Sequence, residues 1–152
     1  MPESIDQAFY RTLLEDDPFL AGLGCRLEAV ESGRLELSVP FDDDIALHDA
    51  TPGLGGVLHA GVIATLVDCG GEVVRTTFDD PRAVQLATTD LNVEFLRPAT
   101  DDVRVRATCE RAGSAVGVSD VRVESRTETG EPTTVAVGRG TYHLSTLDSD
   151  SG

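Results

Sequence analysis

The stretch that decides the fold is HAGVIATLVD, residues 59–68, which continues as CGGEVVRTT to residue 77. Apolar or small side chains occupy nearly every position up to Val67, and charged residues return at Asp68, Glu72 and Arg75. A helix that is apolar on all its faces lies inside a core. The pattern therefore predicts one buried helix over about residues 60–77.

Alternating apolar and polar residues on both sides of this helix predict strands. Before it, a helical stripe over residues 5–14, which Pro18 should end, precedes a hairpin with its turn at residues 31–33. After it, further alternating stretches are joined by turns and begin at about residues 84, 103, 116 and 135. Long strands at short spacing are typical of an antiparallel meander.

A lone buried helix needs a surface that covers it on most sides, and a long curved antiparallel sheet supplies one. We therefore predict an α+β fold in which such a sheet wraps around one central buried helix. The 152 residues suit a single domain. We expect an N-terminal helix and lead-in over residues 1–20, the main domain over 21–146 and a disordered tail over 147–152.

The N-terminal sequence is acidic and lacks a basic segment followed by an apolar run, so we expect no secretory signal. Residues 50–67 are nearly free of charge, but Pro52 and several glycines interrupt them. The part that suits a helix is shorter than the roughly 20 residues that a membrane span needs. We therefore expect a cytoplasmic protein.

The charge of the chain is strongly acidic, with 27 acidic against 12 basic residues and a net charge of −15. Such a surface repels nucleic acid and anionic lipid, so we expect neither as a partner. Every basic residue is Arg. One interpretation is adaptation to concentrated salt, where carboxylates repel each other less. A GC-rich genome is the alternative, which explains the absence of Lys but not the excess of Asp.

The three cysteines, Cys25, Cys69 and Cys109, are widely spaced and form no C-x-x-C pair. Zinc and thioredoxin-type chemistry therefore have no support in the sequence. We expect buried free thiols in a reducing compartment, and neither a metal nor a cofactor.

Asp68 is the candidate catalytic residue. It interrupts an apolar helix, and no basic residue lies three or four positions away from it. A carboxylate in such a place loses hydration, which is how proteins make general bases. The alternative is that the helix turns towards solvent at this point. The residue alone does not separate the two interpretations.

His59 and the glycines before it form a second candidate element. A glycine-rich approach to a helix start leaves backbone N–H groups free to stabilise developing negative charge. The alternative is that these glycines only shape a loop and that His59 caps the helix. Nine positions place His59 and Asp68 on opposite helix faces, about 13 Å apart. Any site that uses both is therefore shared between the subunits of a two-fold dimer.

Two segments, residues 58–68 (LHAGVIATLVD) and 88–99 (TTDLNVEFLRPA), resemble the PaaI-like hotdog-fold thioesterases of the phenylacetate-pathway type. The resemblance spans about residues 20–145. It implies the hotdog fold and the hydrolysis of acyl-CoA thioesters, with a homodimer as the minimal active unit and a dimer-of-dimers tetramer as the expected assembly.

The resemblance assigns roles residue by residue. Asp68 matches the catalytic carboxylate, which acts as general base or as nucleophile, and Ala60 matches the oxyanion-hole donor. His59 matches the histidine that holds this turn, and Thr88 matches a hydroxyl that assists the attacking water from the partner strand. The remaining substrate-binding positions are Gly53, Gly61 and Thr89.

Two departures from the family pattern stand out. Gly53 replaces the usual Asn, which orients the thioester, and His-Gly-Gly is here His-Ala-Gly. An alanine still donates its N–H, so the missing Asn is the more serious change. It keeps a non-catalytic acyl-CoA-binding protein open as the alternative. A hotdog dehydratase or hydratase is less compatible with the spacing of His59 and Asp68.

CoA carries phosphates, so some arginines of this acidic chain must lie near the mouth of the pocket. Arg97, Arg104 and Arg106 are the candidates. The alternative for each is an outward-facing strand residue that balances nearby carboxylates.

Overall fold

A six-stranded antiparallel sheet packs against one central helix in the computed structural model, which describes residues 5–48 and 56–147. This confirms the predicted α+β fold with a single buried helix. The strands are β1 (Arg26–Glu31), β2 (Arg34–Val39), β3 (Val84–Phe95), β4 (Val103–Ala112), β5 (Val116–Arg126) and β6 (Pro132–Thr146). The helices are α1 (Gln7–Leu14), α2 (Pro18–Leu23), α3 (Ala60–Cys69) and α4 (Glu72–Arg75), with short 3-10 turns at 43–45 and 81–83.

The central helix α3 is buried against β3, β4, β5 and β6. Its residues Leu66 and Val67 have no exposed surface. The helix is shorter than predicted, because it ends at Cys69 and α4 begins only at Glu72. Gly70 and Gly71 lie at this break, where each glycine costs about 1 kcal/mol relative to alanine in a helix.

The N-terminal region differs from the prediction at Pro18. This proline does not simply stop the first helix but begins α2, where its missing N–H costs nothing. Asp17 caps α2 by accepting a hydrogen bond from the Leu20 N–H at 3.1 Å. The predicted domain boundary at residue 20 therefore lies within α2.

The sheet order is β1-β2-β4-β5-β6-β3, so the predicted meander is wrong for β3. This strand pairs with β6 rather than with β4, and its other edge has no partner strand within the described residues. Leu91 and Phe95 on β3 are 38% and 50% exposed. A long edge strand with exposed apolar side chains is a surface on which another chain can pair.

Within residues 5–48 and 56–147, no helix is both long and apolar enough to cross a bilayer. The predicted tail lies outside the described residues from residue 148 onward. Leu147, the residue before it, donates its backbone N–H to Ala83 O at 2.6 Å.

Candidate active site

Asp68 lies in the last turn of α3, where its side chain is half-buried. The Thr88 hydroxyl donates a hydrogen bond to Asp68 Oδ1 at 2.8 Å. Thr88 belongs to β3 of the same chain, so this hydrogen bond forms within one subunit. The second carboxylate oxygen, Oδ2, has no hydrogen-bond donor among the described residues and is available to a water molecule.

The acidic residues around Asp68 have other partners. Glu72 forms an ion pair with Arg75 at 2.6 Å, and Asp17 caps α2. Asp68 has no basic partner among the described residues. Among the described residues, its carboxylate is hydrogen-bonded only by the Thr88 hydroxyl.

Two cavities meet at Asp68. The larger, of about 440 Å³, lies between α2, the outer face of α3 and β3, where Phe19, Thr65 and Leu91 are among its walls. The smaller, of about 170 Å³, extends from Asp68 towards Thr88 and Tyr142. Three leucines of the N-terminal helices line one or both of them: Leu13, Leu14 and Leu20.

Cys69 lines both cavities beside Asp68. Burial, assisted by the nearby Cys25 and Asp68, raises the pKa of its thiol to about 12. The sulfur is therefore protonated at neutral pH, and a protonated thiol is a poor nucleophile. Cys69 shapes the site but does not compete with Asp68 as its reactive group.

The start of α3 exposes one backbone N–H group. His59 is the N-cap residue, and its Nδ1 accepts a hydrogen bond from the Gly61 N–H at 2.9 Å. The Val62 N–H donates to His59 O at 3.0 Å. The Ala60 N–H has no acceptor within the described part of the chain. His59 thus has the capping role that the sequence left open, and Gly61 is not a free donor.

An apolar cavity of about 360 Å³ lies beside this helix start. Ala60 and His59 line one side of it, and the end of β3 with the turn after it lines the other, including Phe95 and Arg97. Arg97 donates from Nη1 to Thr134 O at 2.9 Å and forms no ion pair with a described carboxylate.

The three candidate arginines differ in the carboxylates they contact and the cavities they line. Arg104 lies 3.5 Å from Glu28 and 3.8 Å from Glu36. Arg106 lies 3.7 Å from Glu36 and also contacts a second carboxylate. Both are strand residues that balance carboxylates, as the alternative interpretation had it. Each also lines a cavity on the outer face of the sheet, but of the three only Arg97 lines a cavity beside α3.

Of the two remaining predicted site residues, Thr89 and Gly53, the structure describes only Thr89. The Thr89 hydroxyl donates to Thr141 O at 3.2 Å, so it is engaged by the neighbouring strand. Gly53 lies outside the described residues. The leucine wall from α1 and α2 was missed, because the sequence did not indicate that α2 exists.

Ala60 and Asp68 are eight positions apart on one helix, which corresponds to about 12 Å. A single thioester carbonyl cannot contact both groups of one chain.

The chain belongs to the thioesterase superfamily, whose family model matches residues 55–131. A protein from Halobacterium salinarum that is named as an esterase is 39% identical over 140 residues, covering 90% of this chain and 91% of the relative. This membership makes the protein a hydrolase of the thioesterase class.

Solved structures support the same fold. A thioesterase family protein from Silicibacter pomeroyi has a TM-score of 0.78 at 24% identity and covers 90% of this chain and 96% of its own. A thioesterase from Haemophilus influenzae has a TM-score of 0.76 at 22% identity and covers 99% and 97%. At these identities they show the fold alone, which is the predicted hotdog fold.

Proposed function

We propose that the protein hydrolyses acyl-CoA thioesters to free acid and CoA, with Asp68 as the catalytic carboxylate. The observation that supports this most is the state of Asp68: it lies where two cavities meet, it is oriented by Thr88 at 2.8 Å, and it has no basic partner among the described residues. A carboxylate held in this way can accept a proton in the transition state.

In the proposed reaction Asp68 acts as a general base. It takes a proton from water while the water oxygen bonds to the thioester carbonyl carbon. The C–S bond then breaks, and Asp68 returns the proton to the departing CoA thiolate. Thr88 holds Oδ1, which leaves Oδ2 to face the water.

The negative charge on the carbonyl oxygen needs a donor, and the Ala60 N–H at the start of α3 suits this role. Because Ala60 and Asp68 of one helix are about 12 Å apart, the donor must come from a second subunit. Antiparallel pairing of two β3 edges centred on Leu91 would bring Thr88 of one subunit opposite Glu94 of the other, next to Phe95. Phe95 lines the cavity that contains Ala60, so each Asp68 would approach the partner's helix start.

The cavities suggest how the substrate lies. The 170 Å³ cavity behind Asp68 is close in size to an engineered cavity of about 150 Å³ that binds benzene. It would hold a group of about one ring or six carbons, against the leucines of α1 and α2. Arg97, at the mouth of the apolar cavity, is the arginine we assign to the CoA phosphates.

The test is thiol release from acyl-CoA substrates of increasing chain length, together with an aryl-acetyl example. We expect turnover by the wild type, and Asp68→Asn should reduce kcat at least about 100-fold. Asp79→Asn, at an exposed turn residue, is the matched control and should leave kcat unchanged. Tight acyl-CoA binding without thiol release would instead favour the non-catalytic alternative.

The general-base and nucleophile routes differ in where an oxygen label appears. In a single turnover in ¹⁸O-water, a general base sends the label directly into the released acid. A nucleophilic Asp68 would form an anhydride with the acyl group, and attack of water on its aspartyl carbonyl would put the label into Asp68 and leave the released acid unlabelled. We expect an unlabelled Asp68.

A further inference from the structure

Tyr142 contacts the catalytic residue from the side opposite to its carboxylate. The side chain lies on β6 and is 2% exposed. Its hydroxyl donates a hydrogen bond to the backbone oxygen of Asp68 at 2.9 Å. The same oxygen accepts the Gly71 N–H at 2.9 Å. Carbonyl groups at a helix end lack partners within the helix, and the Asp68 oxygen has two partners beyond it, Gly71 and Tyr142.

Two glycines make room for this side chain. A Cβ atom at Gly71 would overlap the tyrosine ring, and a Cβ atom at Gly140 would overlap its hydroxyl. Gly71 follows α3, and Gly140 lies two residues before Tyr142 on β6. The contact between the helix end and the sheet therefore needs glycine at both Gly71 and Gly140, because a larger side chain at either position would displace Tyr142.

Tyr142 and Thr88 are directly paired across β3 and β6. Both side chains hydrogen-bond to Asp68: Thr88 to the carboxylate and Tyr142 to the main chain. One cross-strand pair thus holds Asp68 at two points. Ser119, on the neighbouring strand β5, is fully buried near Tyr142, and its Oγ has no hydrogen-bond partner within the described residues.

The tyrosine hydroxyl stays protonated and can act as a donor throughout the working range of pH. Burial raises the pKa of Tyr142 well above its ordinary value of 10.0, and the nearby Ser119 hydroxyl offsets only part of this rise.

We propose that Tyr142 is a positioning residue for Asp68, which fixes the last turn of α3 so that the carboxylate meets Thr88 and the substrate. The inference rests on the proposed function, because it assumes that Asp68 carries the reaction. Tyr142 acts through Asp68, so its hydroxyl affects the rate of the chemical step more than the binding of substrate.

The kinetic test compares Tyr142→Phe with Tyr10→Phe. The chain has two tyrosines, both nearly fully buried, and each variant removes one hydroxyl while keeping the ring. Small misplacements of a catalytic group cost up to about 100-fold in rate, so we expect kcat of Tyr142→Phe to fall about 10- to 100-fold with KM nearly unchanged. Tyr10→Phe should keep the wild-type kcat. An unchanged kcat in Tyr142→Phe, an equal loss in both variants, or a rise in KM alone would overturn the proposal.

A crystal structure of each variant gives a readout that does not need turnover. In Tyr142→Phe, Asp68 should lose its 2.8 Å contact with Thr88 or adopt several conformers, whereas Tyr10→Phe should retain the contact. An Asp68 unchanged in Tyr142→Phe would refute the positioning role. If the wild type releases no thiol from any substrate, the proposed function fails, and these crystal structures still decide whether Tyr142 holds Asp68.

Discussion

Thr88 and Asp68 are 20 positions apart in the chain, and a hydrogen bond of 2.8 Å joins the hydroxyl of the first to the carboxylate of the second. This bond crosses from the edge strand of the sheet to the end of the central helix. It orients the carboxylate, and in the proposed reaction the other carboxylate oxygen faces the water molecule.

Replacing Thr88 with Val should lower kcat about 10-fold or more, because a hydrogen bond to a charged group contributes about 1.5–3 kcal/mol. The neighbouring Thr89→Val is the matched control. It removes a hydroxyl that bonds only to Thr141 O and should have little effect. Steady-state thiol release measures both variants, and equal activities would mean that the Thr88 bond has no role in the reaction.

His59 should stabilise the start of α3 through its Nδ1 bond to the Gly61 N–H. Loss of an N-cap side chain costs about 0.5–2 kcal/mol, so His59→Ala should lower the free energy of unfolding by about 1 kcal/mol. His59→Asn retains a capping acceptor and should recover most of this loss. Urea denaturation measures the three proteins, and an unchanged His59→Ala would exclude the capping role.

Alkaline pH should destabilise the fold through buried acidic groups. Burial raises the pKa of Cys25 from 9.0 to about 11 and that of Tyr10 from 10.0 to about 12. The direction of the effect on stability follows from these raised pKa values in the folded protein. At a pH below its ordinary pKa, each group keeps its proton in both the folded and the unfolded protein. At a higher pH, the unfolded protein loses this proton first.

The free energy of unfolding should therefore be highest below about pH 9 and fall as pH rises towards about 12, by about 1.4 kcal/mol per pH unit for each group. Urea titrations at several pH values measure the slope. Cys25→Ala removes one of these groups and should make the slope shallower, whereas a flat profile in the wild type would contradict the effect of burial.

Low salt should destabilise this chain of net charge −15. The Debye length is about 10 Å at 0.1 M salt and about 3 Å at 1 M, so carboxylates repel each other over longer distances in dilute buffer. A similar protein comes from the halophile Halobacterium salinarum. Thermal unfolding should shift to higher temperature as KCl increases, and a midpoint that does not depend on salt would refute the halophilic interpretation.

The sequence predicted the features that depend on local pattern. The uninterrupted apolar stretch up to Val67 identified the central helix, and the isolated charge at Asp68 identified the candidate catalytic residue. The alternation and its turns located the strands after the helix. Hydrophobic period and turn chemistry act over a few residues, so they can be recognised without knowledge of the fold.

The features that depend on contacts across the chain were not predictable in this way. The alternation of apolar and polar residues in β3 does not indicate which strand it pairs with, because strand order follows from long-range packing. Tyr142 had the pattern of an ordinary core residue, since its hydrogen bond to Asp68 spans 74 positions. Pro18 was interpreted as a helix stop, although a proline is equally suited to a first helical position.

The central claim is that each active site joins Asp68 of one subunit to the Ala60 N–H of another. Ala60→Pro removes this donor at the first helical position, where proline is well tolerated, and should lower kcat about 100-fold or more. The extended backbone of His59, with φ −60° and ψ 135°, is compatible with a following proline.

Co-expression of Ala60→Pro and Asp68→Asn with two different affinity tags, followed by isolation of the mixed assembly, tests the shared site most directly. A mixed dimer would contain one site with both groups intact and one with neither. We therefore expect about half of the wild-type thiol release per dimer, although each variant alone is nearly inactive. A mixed dimer as inactive as its parents would show that the two groups do not form a site across subunits.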